Sequence, residues 1–397
     1  MEKIYEYIAI LTVILLSGSI YFSIYNKFLL IILIIISFIL FIKNKKVNKK
    51  NIIILIVFSF SILLQCLLSI EYKPNIKDYL YILLDILIIF CLVSNININN
   101  FKNKYVNIMV IISLISIISF MLIQLNIRLP LQRTMVINNS IYEATPYYTV
   151  GRYWYDLSYV VTDRNNGVFW EPGAFQAFLN IGLLIIISLG EKCNFFKMKS
   201  IILILALLTT KSATGYIILL LISLIFIIKS LHIKFDLKKM VLSLIVFISV
   251  FTILLNNEVV YDKLINKNQS YNTRMLDTTE SLKLTLEKPL MGYGYKSDMH
   301  KNREAELGIN QNSNGLFLIS ASMGIVILII YLIFLVKGIN NFFYENFFLR
   351  LITLLIFIII HSTEYFMFHL IFLIFIFQWN ESNMKKGIEI LGDVNEK

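Results

Sequence analysis

Long apolar tracts dominate the chain, and short polar segments separate them without a helical period of polar positions. About 20 apolar residues are enough to cross a bilayer as a helix. Tracts near this length predict about twelve spans, at 7–25, 28–43, 52–70, 79–95, 105–126, 173–190, 200–210, 215–229, 240–256, 314–336, 350–363 and 366–379. The tract at 200–210 is short, so about eleven spans remain an alternative. Because lipid cannot hydrate free backbone groups, the pattern predicts an all-α polytopic membrane protein with one transmembrane domain over 1–397.

Short lysine-rich loops predict the orientation of these spans. The segments 43–50, 191–199 and 229–239 are rich in lysine and fall on one side when every span is counted. Lysine in short loops marks the cytoplasmic side. Both termini are then cytoplasmic, and two long loops, 127–172 and 257–313, lie outside. The first tract has no cleavage site after it, which predicts a retained helix.

Composition and charge agree with a membrane location. The chain is 58% hydrophobic, with mean hydropathy +0.75 and formal net charge +11. In a soluble protein that charge would suggest nucleic acid, but here lysines at the lipid surface explain it, and no nucleic-acid partner is predicted. Arginine differs from lysine, because all but Arg350 fall on the predicted outside: Arg128, Arg133, Arg152, Arg164, Arg274 and Arg303. Since the guanidinium fork binds phosphate bidentately, these arginines suggest an anionic, phosphorylated ligand, with solvated loop charges as the alternative.

Residue types that would support metal or disulfide chemistry are scarce. Cys66 and Cys91 lie in apolar tracts and Cys193 in a short loop, so no disulfide is predicted outside. The outer loops contain no DxD pair, HExxH motif or His/Cys cluster. We therefore expect neither a metal site nor a cofactor.

The stretch "TDRNNGVFWEPGAFQAF" at 162–178 concentrates polar groups at the start of an apolar tract. Pro172 suits the first helical turn, which puts Glu171 near the N-cap. The free N–H groups of this helix would face the outer loops beside Arg164 and favour an anion. Glu171 is the best-placed base for a hydroxyl, with a pKa tuned by the apolar Phe169 and Trp170. A role as helix cap is the alternative.

Two further segments predict helix starts on the same side. "TTKSATGY" at 209–216 and "NQNSNGLF" at 310–317 each supply Ser, Thr or Asn for capping. Three inward helices could thus direct their N-termini at one outer cavity, unless these residues serve only as caps. In the second loop, Arg274 opens a predicted amphipathic helix that Pro289 ends. The glycines of "MGYGY" lack the spacing of a dinucleotide site.

These motifs carry a resemblance. "RNNGVFWEPGAFQAFLN", "SATG", an arginine followed by "PLMGYGY", and "NSNGLFLISASMG" resemble the O-antigen polymerase and O-antigen ligase superfamily in order and spacing over roughly 160–330. The chain looks most like Wzy-type polysaccharide polymerases. The resemblance implies a GT-C-like glycosyltransferase of the bacterial cytoplasmic membrane whose site faces outward. It would polymerise polyprenyl-diphosphate-linked oligosaccharide into O-antigen, capsule or exopolysaccharide, with membrane lipid and a chain-length regulator as partners.

The resemblance also implies a set of site residues. Arg164 and Arg274 match the functional arginines of the two outer loops, and with Glu171 they form the predicted catalytic group. Predicted substrate contacts are the other polar and aromatic residues of the motifs: Arg152, Asn166, Trp170, Gln176, Ser212, Tyr293, Gln311 and Asn312. Ligases often carry a histidine where this chain has Gln311, which weakens the ligase interpretation. The aromatic residues of 147–159 are suited to stack on sugars or to form an interfacial belt.

Two alternatives to the polymerase remain. One is a ligase of the same superfamily, and the other is a transporter or flippase of lipid-linked oligosaccharide. A transporter should carry polar groups midway along broken helices, whereas here they concentrate in the outer loops. Asp85, inside a predicted span, is the exception. It predicts either proton coupling or, preferably, a hydrogen bond to a neighbouring helix.

Overall fold

The computed structural model describes residues 2–44, 47–137, 140–153, 163–233, 269–308, 312, 314–343 and 346–379, together with 245, 248 and 252. The described chain is mostly helical. Its helices in the first half are α1 (Glu2–Leu16), α2 (Ile20–Ser23), α3 (Asn26–Asn44), α4 (Lys49–Leu68), α5 (Ile76–Asn95) and α6 (Ile98–Gln124). Those that follow are α7 (Pro172–Leu189), α8 (Phe196–Thr209), α9 (Ala213–Ile233), α10 (Gln269–Glu287), α11 (Asp298–Glu306), α12 (Gly315–Met323), α13 (Ile325–Phe342), α14 (Phe347–Thr363) and α15 (Leu370–Leu373). Short 3₁₀ turns cover Ile70–Tyr72, Gly190–Lys192 and Ile374–Ile376.

Helix length and hydropathy support a polytopic membrane protein. Among the described residues, the helices long and apolar enough to cross a membrane are α3, α4, α6, α7 and α13. Shorter apolar helices cover Ala213–Lys229 and Phe347–Thr363. The α7 helix differs from the others because 89% of its apolar window is buried. It is therefore the most buried of these helices, and it packs against α6, α8 and α9.

Most predicted tracts correspond to helices, with three differences among the described residues, of which two are breaks in a helix. The tract at 7–25 splits into α1 and α2, and the tract at 314–336 is broken at Gly324 between α12 and α13. At Gly324 φ is +87°, and a Cβ would lie 2.1 Å from the carbonyl oxygen of Leu290. The break therefore lets the loop after Pro289 approach the backbone, and Ile325 N–H donates to Pro289 O at 2.8 Å. The tract predicted at 240–256 lies almost entirely outside the described residues.

The prediction of one continuous helix over 366–379 was wrong, because most of this segment is not α-helical. After α14 the chain forms only α15 and a 3₁₀ turn before extended residues. His369 contacts Ser17 O at the end of α1, whereas Gln378 N–H donates to Asn51 at the start of α4. The segment thus runs from the end of the bundle where α1 ends and α7 begins, here called the site end, to the opposite end. Residues 370–377 are all buried, which makes irregular backbone tolerable at that depth because protein surrounds it.

A small antiparallel sheet in the first long loop was not predicted from the sequence. Its strands β1 (Arg133–Ile137), β2 (Ser140–Ala144) and β3 (Thr149–Tyr153) pair in chain order. Arg133 faces Ala144 across the first pair, and Ile141 faces Tyr153 across the second. The inward residues Met135 and Tyr142 pack against Ile20 of α2. The sheet therefore covers the site end beside α2.

Candidate active site

A small charged cavity lies at the site end, where several distant segments meet. We call it the charged cavity. It measures about 100 Å³. Its lining residues are Arg164, Glu171, Pro172, Gly173, Gln176, Ser212, Thr214, Arg274, Thr363 and Glu364. The structure thus brings together all three residues predicted as catalytic, and adds Glu364.

Two helix N-termini open into this cavity. Pro172 and Gly173 begin α7, and Ser212 and Thr214 flank the first residue of α9. Free N–H groups and the helix dipole make such ends favourable for anions. The third helix start expected here, that of α12, does not line the charged cavity. It lies against the backbone of Glu364, since a Cβ on Gly315 would be 2.6 Å from that carbonyl oxygen.

Glu171 occupies the N-cap position of α7 but does not act as a side-chain cap. Its backbone is extended, with φ −160° and ψ 165°, and its side chain makes no capping hydrogen bond. The carboxyl group instead lies close to that of Glu364, at the end of α14, since a Cβ on Gly173 would contact an oxygen of each. Two carboxylates this close repel each other, so the pair is more stable when it holds one proton.

The surroundings distribute that proton unequally. Burial raises the pKa of Glu364 well above its usual range, and the negative charge of Glu171 raises it further. For Glu171, burial also raises the pKa, but the neighbouring Glu364 carboxyl group and the charges of Arg274, Arg164 and Arg152 outweigh it and lower the pKa. The two directions favour Glu171 as the charged member of the pair and Glu364 as the protonated one. The apolar neighbours expected to tune Glu171 do not set the net direction.

Gly173 makes room for the carboxyl pair. A Cβ at this position would lie 2.4 Å from Glu364 Oε1 and 3.0 Å from Glu171 Oε1. Any larger residue would displace at least one carboxyl group from the cavity. The glycine of "WEPG" is thus explained by the site rather than by a turn.

The two arginines reach the pair from opposite long loops. Arg164 Nε donates to Thr210 O at 3.0 Å, which holds the guanidinium beside the start of α9. Burial lowers the pKa of Arg164, while the charges of Glu171 and Asp163 act in the opposite direction. Arg274, on α10, lies with Nη2 3.8 Å from Glu364 Oε1. Two guanidinium groups therefore lie beside the two carboxyl groups of the charged cavity.

A second, larger cavity lies on the other side of the carboxyl pair. This wide cavity measures about 950 Å³ and shares Glu171 and Glu364 with the charged cavity. Its walls include Ile20 of α2, Val136 of β1 and Arg152 of β3. Cavities of 300–1,000 Å³ are typical of small-molecule sites. The carboxyl pair therefore stands between a small charged space and a space of ligand size.

Five of the predicted substrate contacts line one of these cavities. Gln176 and Ser212 line the charged cavity, and Arg152, Trp170 and Asn312 line the wide one. The centroid of the Trp170 ring lies 5.7 Å from that of the His369 ring. Gln176 Nε2 is buried and has no hydrogen-bond partner among the described residues. It is therefore a donor available to a ligand in the charged cavity.

The other three predicted contacts are placed elsewhere or are not described. Asn166 Nδ2 donates to Thr149 O at 3.1 Å and ties the "RNNG" turn to β3. Tyr293 donates its hydroxyl to Glu287, and its N–H donates to Ala321 O at 2.9 Å. Neither lines the two cavities, so both serve the packing of loops around the site. Gln311 lies outside the described residues.

Glu364 was not predicted from the sequence as a site residue, although it lines the charged cavity. The residue follows α14 directly, between two apolar tracts. An acid at the edge of an apolar span is costly and is a reason to suspect function. On this ground the sequence predicts a role for Asp85. It did not lead to a prediction for Glu364, because the partner of Glu364, Glu171, is far away in the chain. Within the described ranges, no group of three or more His, Cys, Asp or Glu could hold a metal ion.

Comparison with known proteins gives one family. A search of curated proteins finds no match to the chain. The family model of O-antigen ligase matches residues 199–332, about a third of the chain, from α8 to α13. This stretch contains Ser212, Arg274 and the start of α12. The match supports the resemblance seen in the motifs and shows similarity to the O-antigen ligase and polymerase superfamily, whose members are membrane glycosyltransferase-like enzymes.

Proposed function

We propose that the protein is a membrane glycosyltransferase that polymerises polyprenyl-diphosphate-linked oligosaccharide repeat units. One observation carries the proposal: two buried carboxyl groups, Glu171 and Glu364, lie between an arginine-lined cavity and a cavity of ligand size. The charged cavity would bind the diphosphate. The wide cavity would bind the sugars that meet at the carboxyl pair.

The volumes support this division. A water molecule occupies about 30 Å³ in the liquid, so the charged cavity has room for only a few small groups. That suits part of a diphosphate and excludes a sugar chain. The wide cavity is about 950 Å³, large enough for the sugars beside the reacting bond. Its Trp170 ring and Arg152 guanidinium offer stacking and hydrogen bonding to a glycan.

The chemistry follows from the charges. The acceptor hydroxyl oxygen forms a bond to the anomeric carbon of the growing chain, and the bond from that carbon to the diphosphate oxygen breaks. The diphosphate leaves with the electron pair, and Arg164, Arg274 and the helix N-termini stabilise its charge. The hydroxyl proton passes to Glu171. Protonated Glu364 holds Glu171 in place and keeps a second negative charge away from the diphosphate.

The direct test is chain extension by purified protein. The protein in liposomes is incubated with lipid-linked repeat units isolated from the native cells, and products are separated by chain length. The proposal expects a ladder that grows with time and depends on Glu171. Single repeat units alone, from protein that is folded, would contradict it.

The proposed orientation places the site end outside the cytoplasm, in a chain of about twelve spans. Cysteines replacing Asp298 on α11 and Lys197 on α8, in a background without native cysteines, test this arrangement. An impermeant thiol reagent added to intact cells should label the first and not the second. The reverse pattern would put the site inside the cell and contradict an outward-facing transferase.

A ligase is the second candidate, because the matching family model describes O-antigen ligase. Polymerase and ligase use the same donor and differ in acceptor. Supplying the purified protein with either a second lipid-linked repeat unit or a glycolipid core distinguishes them. Transfer only to the core would replace the polymerase by the ligase without changing the assignment of the charged cavity.

A further inference from the structure

A third cavity, here called the side cavity, adjoins the wide cavity. It measures about 480 Å³ and extends between α1, α3 and α5. The two cavities share four lining residues, which are Leu16, Asn26, Tyr365 and His369. Tyr365 directly follows Glu364 in the chain. A ligand that extends from the carboxyl pair through the wide cavity can therefore continue into the side cavity.

Asp85 is the residue that gives the side cavity its chemistry. It lies nine residues after the start of α5, which at 1.5 Å per residue is about 14 Å into the helix. The hydrogen bond to a neighbouring helix expected from the sequence is not observed, and among the described residues Asp85 has no hydrogen-bond or ion-pair partner. It lines the cavity instead. A carboxylate at such depth is costly unless a ligand or water supplies hydrogen-bond donors.

The remaining lining indicates a neutral, hydroxyl-rich ligand. Lys296 lines the cavity and pairs with Asp78 at 3.4 Å. Tyr365 donates its hydroxyl to Tyr295 at 2.6 Å, so two tyrosines line one wall. Carboxylates accept from hydroxyls, ammonium groups donate to them, and aromatic rings pack on the apolar faces of sugars. A lipid tail would leave these charges unsatisfied, and a simple ion would meet charges of both signs.

From this geometry we propose that the side cavity is a subsite for a sugar of the repeat unit remote from the reacting bond. The subsite rests on the proposed function, since it assigns part of the same substrate. The hydroxyl groups of this sugar donate to Asp85. The subsite selects repeat units that are long enough to reach it.

The experiment compares full and trimmed acceptors. Initial rates are measured with the lipid-linked repeat unit from native cells and with the same lipid trimmed by exoglycosidases to its first sugar. Asp85→Asn should raise KM for the full unit about tenfold to a hundredfold, as expected for a lost hydrogen bond to a charged group, with kcat nearly unchanged. Leu30→Trp, which fills the cavity from α3, should do the same. With the trimmed acceptor, both variants should match the wild type, as should the surface control Asp298→Asn with either substrate.

Each other outcome overturns the subsite. Equal KM of Asp85→Asn and wild type for the full unit would do so. A shifted pH profile with unchanged KM would instead assign Asp85 to proton transfer. If the wild type makes no polymer, the proposed function fails, and the subsite is tested separately by binding. Tryptophan fluorescence of the protein in nanodiscs is then titrated with the full and trimmed lipids. Only the full unit should bind more weakly to Asp85→Asn, and equal affinities would reject the subsite.

Discussion

The two ends of the helix bundle each bury a charged cluster, and the clusters differ in kind. At the end opposite the site, Lys104 donates to Glu6, which also accepts from Asn100 at 3.4 Å. Opposite charges there are matched in direct contact. At the site end, Glu171 and Glu364 line a cavity together with two arginines, and Arg274 Nη2 lies 3.8 Å from Glu364 Oε1.

Under the proposed function, this difference separates a structural cluster from a functional one. A buried pair in contact satisfies its own charges and leaves nothing for a ligand. Two buried acids beside two guanidinium groups at a cavity leave polar groups that a ligand can contact. Glu6 and Lys104 line none of the three cavities described. Substitutions at the site end should therefore change activity, and those at the other end should change stability.

The largest effect is expected for Glu171→Gln. The amide keeps the size of the side chain but cannot accept the hydroxyl proton, so chain extension should fall by about 10²- to 10⁴-fold. Protein level and thermal stability in detergent should stay near wild type. Extension at a normal rate would reduce Glu171 to a structural residue of the α7 start.

The next largest effect is expected for Arg164→Lys and Arg274→Lys. Both keep the charge and lose the bidentate geometry. Hydrogen bonds to charged groups contribute roughly 1.5–3 kcal/mol each, so losing one or two predicts a tenfold to about thousandfold lower rate. The matched control is Arg303→Lys, since Arg303 forms exposed ion pairs with Glu287 and Glu306 and such pairs contribute little. Similar ladders from all three variants would separate the arginines from the diphosphate.

A smaller effect is expected for Gly173→Ala. Its methyl group would meet Glu364 Oε1 and push the carboxyl pair apart, and such a displacement can cost up to about a hundredfold in rate. Gly182→Ala adds the same methyl inside α7 near Leu203, away from the cavity, and should be nearly silent. Equal activity of the two variants would show that the spacing of the carboxyl pair is not critical.

Glu364→Gln should have a modest effect at neutral pH and a specific effect on the pH profile. Under the proposed function, we expect the wild type to be active between the lowered pKa of Glu171 and the raised pKa of Glu364. Its rate should fall at alkaline pH as Glu364 loses its proton. Glutamine imitates the protonated acid, so the alkaline decline should disappear while the acid limb remains. An unchanged alkaline limb would assign that limb to another group.

The smallest effect on activity is expected for Glu6→Gln. Removing one partner of a buried ion pair leaves Lys104 uncompensated and costs about 3–5 kcal/mol of stability. The melting temperature in detergent should drop, while activity per folded molecule stays the same. A selective loss of activity without loss of stability would remove the contrast between the two ends.

Local patterns in the sequence determined the helices and one half of the site. Apolar tracts predicted α3 to α9 closely because bilayer thickness fixes the length of a span. Pro172 predicted the start of α7, and the neighbouring residues predicted that Glu171 and Arg164 would lie there. Placing Arg274 with them depended on the motif resemblance, and the structure does bring it to the same cavity.

The tertiary structure decided the surroundings of those residues. Glu171 lies beside a second buried carboxyl group only because α14 ends beside α7, which brings together residues nearly 200 positions apart in the chain. The irregular segment 370–377 and the sheet over 133–153 were decided in the same way, by burial among distant elements and not by local preference. Helix formation depends on nearby residues, whereas a pKa and a cavity depend on everything that packs around them.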